Sequence, residues 1–164
     1  MKKLYWLLAG TFLLIAALVS LKMHILSQAP DIALTTITGK QLTLKDLRGK
    51  PVLVTFWATD CASCVQEIPD LTTLYNRYHS QGFELIAISM TYDPPNHVIE
   101  LSQTLHLPYA IALDISGDFA NAFGQVRLTP TTFLIAPDGA IDWQQTGTFE
   151  LADLQARIEL LLKG

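Results

Sequence analysis

Hydrophobic positions follow two different patterns in the middle of the chain. Residues 52–57 and 83–89 are nearly continuous runs of apolar and β-branched residues, which are typical of strands buried on both faces of a sheet. Between them, apolar residues recur at spacings of three and four over residues 64–79, which predicts an amphipathic helix. Two strands joined by such a helix form a βαβ unit, so these two strands are predicted to be parallel.

The flanking segments predict further strands and helices around this unit. Two hairpins are expected, because turn residues separate β-prone runs at Thr38-Gly39-Lys40 and at Pro137-Asp138-Gly139. The other predicted elements are a helix at 97–105, a short strand at 110–113, a short helix at 119–123 and a final amphipathic helix from about 151 to 162. This order predicts an α/β fold with a mixed central sheet and helices on both faces.

The N-terminus has a different pattern, an uncharged apolar run of 18 residues from Leu4 to Leu21. As a helix it would be roughly 27 Å long, close to the thickness of the bilayer's hydrocarbon core. We interpret residues 1–22 as a signal anchor, 23–30 as a linker and 31–164 as the folded domain. A cleavable secretory signal ending near Ser27-Gln28-Ala29 is the alternative. By the positive-inside rule, both interpretations place the domain outside the cytoplasm, at the inner membrane or in the periplasm.

The charge of the exported part argues against binding to nucleic acid. Without Lys2, Lys3 and Lys22, eight basic residues remain against 15 acidic ones, a net charge of −7. Nucleic-acid binding requires a basic face, and this composition does not provide one.

The only two cysteines form the sequence Cys61-Ala62-Ser63-Cys64, at the point where a predicted strand meets a predicted helix. Amides at a helix N-terminus stabilise a thiolate, so Cys61 is expected to be the nucleophile and Cys64 the resolving thiol. A structural disulfide is less favoured because so short a loop constrains little chain. A structural zinc site would need further Cys or His ligands, and haem attachment would need His at position 65, which is Val.

Several motifs in order resemble the TlpA/ResA family of membrane-anchored, thioredoxin-like, extracytoplasmic thiol-disulfide oxidoreductases. The resemblance spans about residues 30–164. The matching segments are Asp46-Leu47-Arg48-Gly49-Lys50, Phe56-Trp57-Ala58-Thr59, the cysteine pair, Glu67 with Pro69, Pro130-Thr131-Thr132-Phe133-Leu134-Ile135 and Asp138-Gly139. The resemblance implies a thioredoxin-like three-layer sandwich with an added N-terminal β-hairpin and a helix-strand insertion between Thr91 and Leu113.

The resemblance also assigns roles to individual residues. Pro130 would be a cis-proline facing the cysteine pair, and Thr129 before it would pair with an extended substrate strand. Glu67, one helical turn after Cys64, would be the acid/base, since thioredoxin's buried aspartate is replaced here by Thr55. A surface carboxylate is the alternative interpretation for Glu67.

The chain departs from the family immediately before Cys61, where Asp60 replaces the usual Trp, and immediately before Cys64, where Ser63 replaces a frequent Pro. We expect Trp57 and Asp60 to contribute to substrate contacts. A carboxylate next to Cys61 opposes the thiolate, which favours a reductant with a potential of about −250 mV or lower.

The leading hypothesis is therefore a protein-disulfide reductase acting on exported proteins, with apocytochrome c as the substrate class that the resemblance implies. Its electrons would come from a transmembrane thiol conduit of the DsbD or CcdA type, and neither a metal nor a cofactor is expected. Disulfide oxidation or isomerisation is a second enzymatic hypothesis. A copper metallochaperone using the two thiolates is a non-enzymatic alternative.

Overall fold

The computed structural model describes Phe12 and residues 28–163. The predicted anchor at 1–22 and most of the linker at 23–30 lie outside the described residues. Within the described part of the chain, no helix has both the length and the apolar character needed to cross a bilayer.

A five-stranded mixed sheet forms the centre of the domain, with the strand order β5-β4-β3-β6-β7. Its strands are β3 (Val52–Trp57), β4 (Glu84–Ser89), β5 (Ala110–Leu113), β6 (Thr131–Ile135) and β7 (Ile141–Thr146). β4 and β5 run parallel to β3, whereas β6 is antiparallel to β3 and β7 is antiparallel to β6. Both the parallel βαβ unit and the mixed sheet are confirmed. A separate hairpin of β1 (Ala33–Thr35) and β2 (Gln41–Thr43) confirms the predicted N-terminal pair.

Helices cover both faces of this sheet. They are α1 (Ala62–Tyr78), α2 (Pro95–Thr104), α3 (Asp118–Ala122) and α4 (Leu151–Lys163), each starting within two residues of its predicted start. One hydrophobic cluster joins α1, α2 and α4 to the sheet face that carries Leu53. A second cluster joins α3 and the N-terminal hairpin to the opposite face, which carries Val54. Because consecutive residues of β3 enter different cores, the strand is apolar at nearly every position.

The topology brings five segments to one end of the sheet. The parallel strands β3, β4 and β5 finish there, antiparallel β6 starts there, and β7 finishes there. Consequently the first turn of α1 lies at the same end as the loops after β4, β5 and β7 and the segment before β6. The cysteine pair belongs to this end, as expected for ligand sites at the carboxyl ends of parallel strands.

Candidate active site

Cys61 and Cys64 form a disulfide at the start of α1. Cys61 is the N-cap residue of the helix, and its Sγ accepts a hydrogen bond from the Cys64 amide at 3.2 Å. The Cys61 side chain is partly exposed, whereas Cys64 is buried and only 3% exposed. The sulfur atom of a substrate can therefore reach Cys61 from solvent, whereas it cannot reach Cys64.

Some polar groups around Cys61 stabilise its thiolate, and another destabilises it. The Ser63 hydroxyl lies 3.4 Å from Cys61 Sγ, and it is the donor in this pair because a disulfide sulfur carries no hydrogen. This hydroxyl, the Cys64 amide and the helix N-terminus all stabilise a thiolate. Asp60 is exposed and, among the residues the structure describes, forms no ion pair. Its carboxylate opposes the thiolate.

Asp93, in the loop after β4, holds the loop that carries Cys61 in place. The Asp93 carboxylate accepts hydrogen bonds from the Thr59 amide at 2.7 Å and from the Thr59 hydroxyl at 2.6 Å. Asp93 itself is buried, with 4% of its surface exposed. The sequence pattern does not indicate this contact, because it does not show that the loops after β3 and β4 meet.

Glu67 is buried beneath the cysteine pair and is only 5% exposed. Its Oε1 accepts a hydrogen bond of 2.9 Å from the Phe149 amide, in the loop after β7. Burial raises the pKa of Glu67 from 4.5 to about 7; the Phe149 hydrogen bond lowers it and the nearby charge of Asp70 raises it. A carboxyl group with this pKa can both release and accept a proton at neutral pH.

A narrow cavity of about the size of one water molecule connects the two buried groups of the site. Cys64 and Glu67 both line it, together with Pro130 and Trp57. Trp57 is only 4% exposed and its indole N–H has no partner among the described residues. Trp57 and Cys64 belong to the same buried cluster, while the predicted contact of Trp57 with substrate stays a prediction.

The segment before β6 lies on the other side of the pair. The Thr129–Pro130 peptide bond is cis, as the resemblance implied. Pro130 is buried, whereas Thr129 is partly exposed, and within the described chain its backbone N–H and C=O take part in no hydrogen bond. Thr55, at the position of thioredoxin's aspartate, pairs with the Thr132 hydroxyl at 2.9 Å. Glu67 is therefore the carboxyl group that this cavity offers for proton transfer.

An accessible sulfur at a helix N-terminus, a buried partner sulfur and a carboxyl group that titrates near neutrality define a thiol-disulfide oxidoreductase of thioredoxin-like fold. The Redoxin family model matches residues 26–158. The chain belongs to this family and, within it, is a ResA/TlpA-like oxidoreductase.

Curated relatives support this assignment. The thiol-disulfide oxidoreductase ResA of Geobacillus thermodenitrificans is 35% identical over 133 residues, which cover 81% of this chain and 75% of the relative. ResA of Bacillus subtilis is 31% identical over 138 residues, covering 84% and 76% of the two chains.

Solved structures agree with the fold. The solution structure of a putative thioredoxin from Neisseria meningitidis has a TM-score of 0.78 at 29% identity and covers 84% of this chain and 92% of that one. The crystal structure of a putative thiol:disulfide interchange protein DsbE from Chlorobium tepidum has a TM-score of 0.74 at 29% identity, covering 83% and 96%.

Proposed function

We propose that this protein reduces disulfides in exported proteins on the extracytoplasmic side of a bacterial membrane. The observation that carries the proposal is the asymmetry of the pair: Cys61 is partly exposed beside the exposed residue Asp60, and Cys64 is buried beside Glu67. The Asp60 carboxylate opposes the thiolate form of this accessible thiol, which favours a reductant over an oxidase.

In the first step, the Cys61 thiolate of the reduced protein attacks one sulfur of a substrate disulfide. A bond forms between Cys61 Sγ and that sulfur, the substrate disulfide breaks, and the other substrate sulfur leaves as a thiolate. The partial exposure of Cys61 permits this approach. The backbone of Thr129, which makes no hydrogen bond to any residue that the structure describes, lies at the same end of the sheet, where it can pair with an extended substrate segment.

In the second step, Cys64 resolves the mixed disulfide. Its thiol must lose a proton, and the Glu67 carboxylate, which lines the same cavity, is the acceptor. The Cys64 thiolate then attacks Cys61 Sγ and expels the second substrate thiolate. The product is the Cys61–Cys64 disulfide, the state that the structure contains, together with a substrate that has gained two electrons as two thiols.

Repeated turnover requires a donor of two electrons that reduces this disulfide. We infer a transmembrane thiol conduit of the DsbD or CcdA type, and apocytochrome c as one substrate. The apolar run of residues 4–21 supports membrane anchoring of the full chain. A fusion of alkaline phosphatase to the C-terminus tests the location, because that enzyme becomes active only where its own disulfides form. An inactive fusion that is present in full amount would contradict export.

The reaction itself is tested by three measurements on the purified full chain. We expect insulin reduction with dithiothreitol as electron source, a reduction potential of about −250 mV or lower in redox buffers, and no tight copper binding in a titration. A potential near that of periplasmic oxidases, about −120 mV, would favour disulfide formation instead. Tight copper binding without insulin reduction would favour metal delivery.

Replacing Asp60 with Asn is expected to favour the Cys61 thiolate and raise the reduction potential, because the substitution removes a negative charge next to the sulfur. The expected increase is about 10 to 30 mV, with faster alkylation of Cys61 near neutral pH. Asp46→Asn, which changes an exposed aspartate before β3 at the opposite end of the sheet, is the matched control and should change neither quantity. An unchanged potential in Asp60→Asn would show that Asp60 does not influence Cys61.

A further inference from the structure

Exposed apolar side chains are concentrated at the active-site end of the domain. Of five large hydrophobic side chains exposed within residues 28–163, Tyr92, Ile115 and Leu128 belong to the loops at this end of the sheet. Their exposed fractions are 54%, 68% and 67%. The other two are Leu105, after α2, and Leu160, on α4. We call Tyr92, Ile115 and Leu128 the apolar rim. Such clustering of exposed apolar groups is typical of an interaction surface.

Tyr92 connects the loop after β4 with the segment before β6. The neighbouring Asp93 holds Thr59, two residues before Cys61, through two short hydrogen bonds. The Tyr92 hydroxyl lies 3.4 Å from the Thr129 hydroxyl, next to the cis-proline. Tyr92 therefore reaches the segment that precedes β6 from the loop whose next residue holds Thr59, and more than half of its surface remains exposed.

The other two residues of the rim lie in loops that are also held in place. Leu128 O accepts a hydrogen bond of 2.8 Å from the Thr131 hydroxyl, so the exposed Leu128 is part of a fixed turn. The loop of Ile115 packs against the loop of Tyr92, since a Cβ at Gly117 would lie 3.2 Å from Thr91 Cγ2. Anchored backbones reduce the conformational entropy lost on binding.

We propose that Tyr92 and Leu128 bind an apolar side chain next to the cysteine of the substrate polypeptide, and that Tyr92 is a specificity-determining residue. Thr129 directly follows Leu128, and its hydroxyl lies 3.4 Å from the Tyr92 hydroxyl. Its backbone is unpaired among the described residues, so a substrate segment pairing there places a neighbouring side chain on the rim. Asp60 leaves the position before Cys61 without an aromatic ring, and Tyr92 supplies one from the next loop.

The occupant is a substrate polypeptide rather than a second copy of this chain. The rim and Cys61 lie at the same end of the sheet, and the disulfide exchange requires the sulfur of Cys61 to stay accessible there. A stable dimer through this surface would therefore block the reaction, whereas a transient substrate complex is part of it. This inference rests on the proposed function only in one respect, namely that the bound polypeptide is the partner that becomes reduced.

The test uses three synthetic peptide disulfides that differ only in the residues next to one cysteine. The first has Leu before this cysteine, the second has Leu after it, and the third has Ser on both sides. Second-order rate constants for their reduction by the reduced full chain are compared. We expect a Leu-containing peptide to react about tenfold faster than the Ser peptide, and Tyr92→Ser to abolish this preference. Tyr92→Phe should retain it, since the ring provides the contact. Leu160→Ser should also retain it as the distant apolar control.

Equal rates for all peptides, or a preference that survives in Tyr92→Ser, would overturn the proposal. A wild-type chain that reduces none of the peptides would contradict the proposed reductase function instead. In that case the peptide preference is measured in the opposite direction, as the rate at which the oxidised protein oxidises the dithiol forms of the same peptides. Sedimentation completes the test: a wild-type dimer that Tyr92→Ser dissociates would assign the rim to a second copy and overturn the assignment to substrate.

Discussion

Replacing Cys61 with Ser is expected to lower the rate of disulfide reduction by at least about 10³-fold, because the hydroxyl group cannot replace the thiolate nucleophile. Cys64→Ser should also stop turnover, but at a later stage. It leaves Cys61 able to attack and removes the thiol that resolves the mixed disulfide, so a covalent complex between protein and substrate should accumulate. Non-reducing electrophoresis and mass spectrometry would detect this complex.

The same assignment predicts which thiol reacts with iodoacetamide. After brief treatment of the reduced protein at neutral pH, Cys61 should carry the label, because it is partly exposed at the helix N-terminus and Cys64 is 3% exposed. Ser63→Ala keeps both thiols but removes the hydroxyl that stabilises the Cys61 thiolate, so Cys61 should still carry the label but react more slowly. Preferential labelling of Cys64, or a trapped complex in Cys61→Ser instead of Cys64→Ser, would reverse the roles of the two cysteines.

Replacing Glu67 with Gln is expected to slow turnover about 10²-fold without unfolding the domain. The amide oxygen of Gln can still accept the hydrogen bond from Phe149, but the side chain cannot accept a proton from Cys64. In the wild type, the rate of the resolving step should rise as the pH passes through about 7, where Glu67 ionises, and this inflection should be absent in the variant. The measurement is a single-turnover pH–rate profile followed by the release of substrate thiols.

Glu67 also makes stability depend on pH in a direction that can be checked. Its pKa is raised in the fold from 4.5 to about 7, so the fold favours the neutral carboxyl group. Its contribution is fully present below about pH 4.5 and is lost as the pH rises through 7. Glu67→Gln should therefore gain stability relative to the wild type as the pH rises from 4.5 to 7, and above pH 7 the gain should be on the order of 3 kcal/mol.

Two matched variants separate a role in proton transfer from a general effect of the substitution. Glu100→Gln changes an exposed glutamate on α2 and should alter neither the rate nor its pH dependence. Asp70→Asn should move the inflection to lower pH, because the charge of Asp70 raises the pKa of Glu67. A Glu67→Gln profile that still shows the wild-type inflection would leave Glu67 with a structural role only.

The sequence alone determined the order of the elements and the chemistry of the nucleophile. Continuous apolar runs identified β3 and β4, and the three-and-four spacing identified α1, because local side-chain patterns reflect which faces of an element are buried. The single pair of cysteines at a strand-to-helix junction was enough to indicate redox chemistry. These inferences concern residues that are close in sequence, where spacing fixes geometry.

Only the tertiary structure decided the environment of these residues. Glu67 is buried because the loop that carries Phe149, 82 residues further along the chain, covers it and donates a hydrogen bond. Likewise, Asp93 holds Thr59, and Tyr92 meets Thr129, only because β3, β4 and β6 place their loops at the same end of the sheet. Burial and long-range contacts set the pKa of Glu67 and the surface around Cys61, and both depend on how distant segments pack rather than on local sequence pattern.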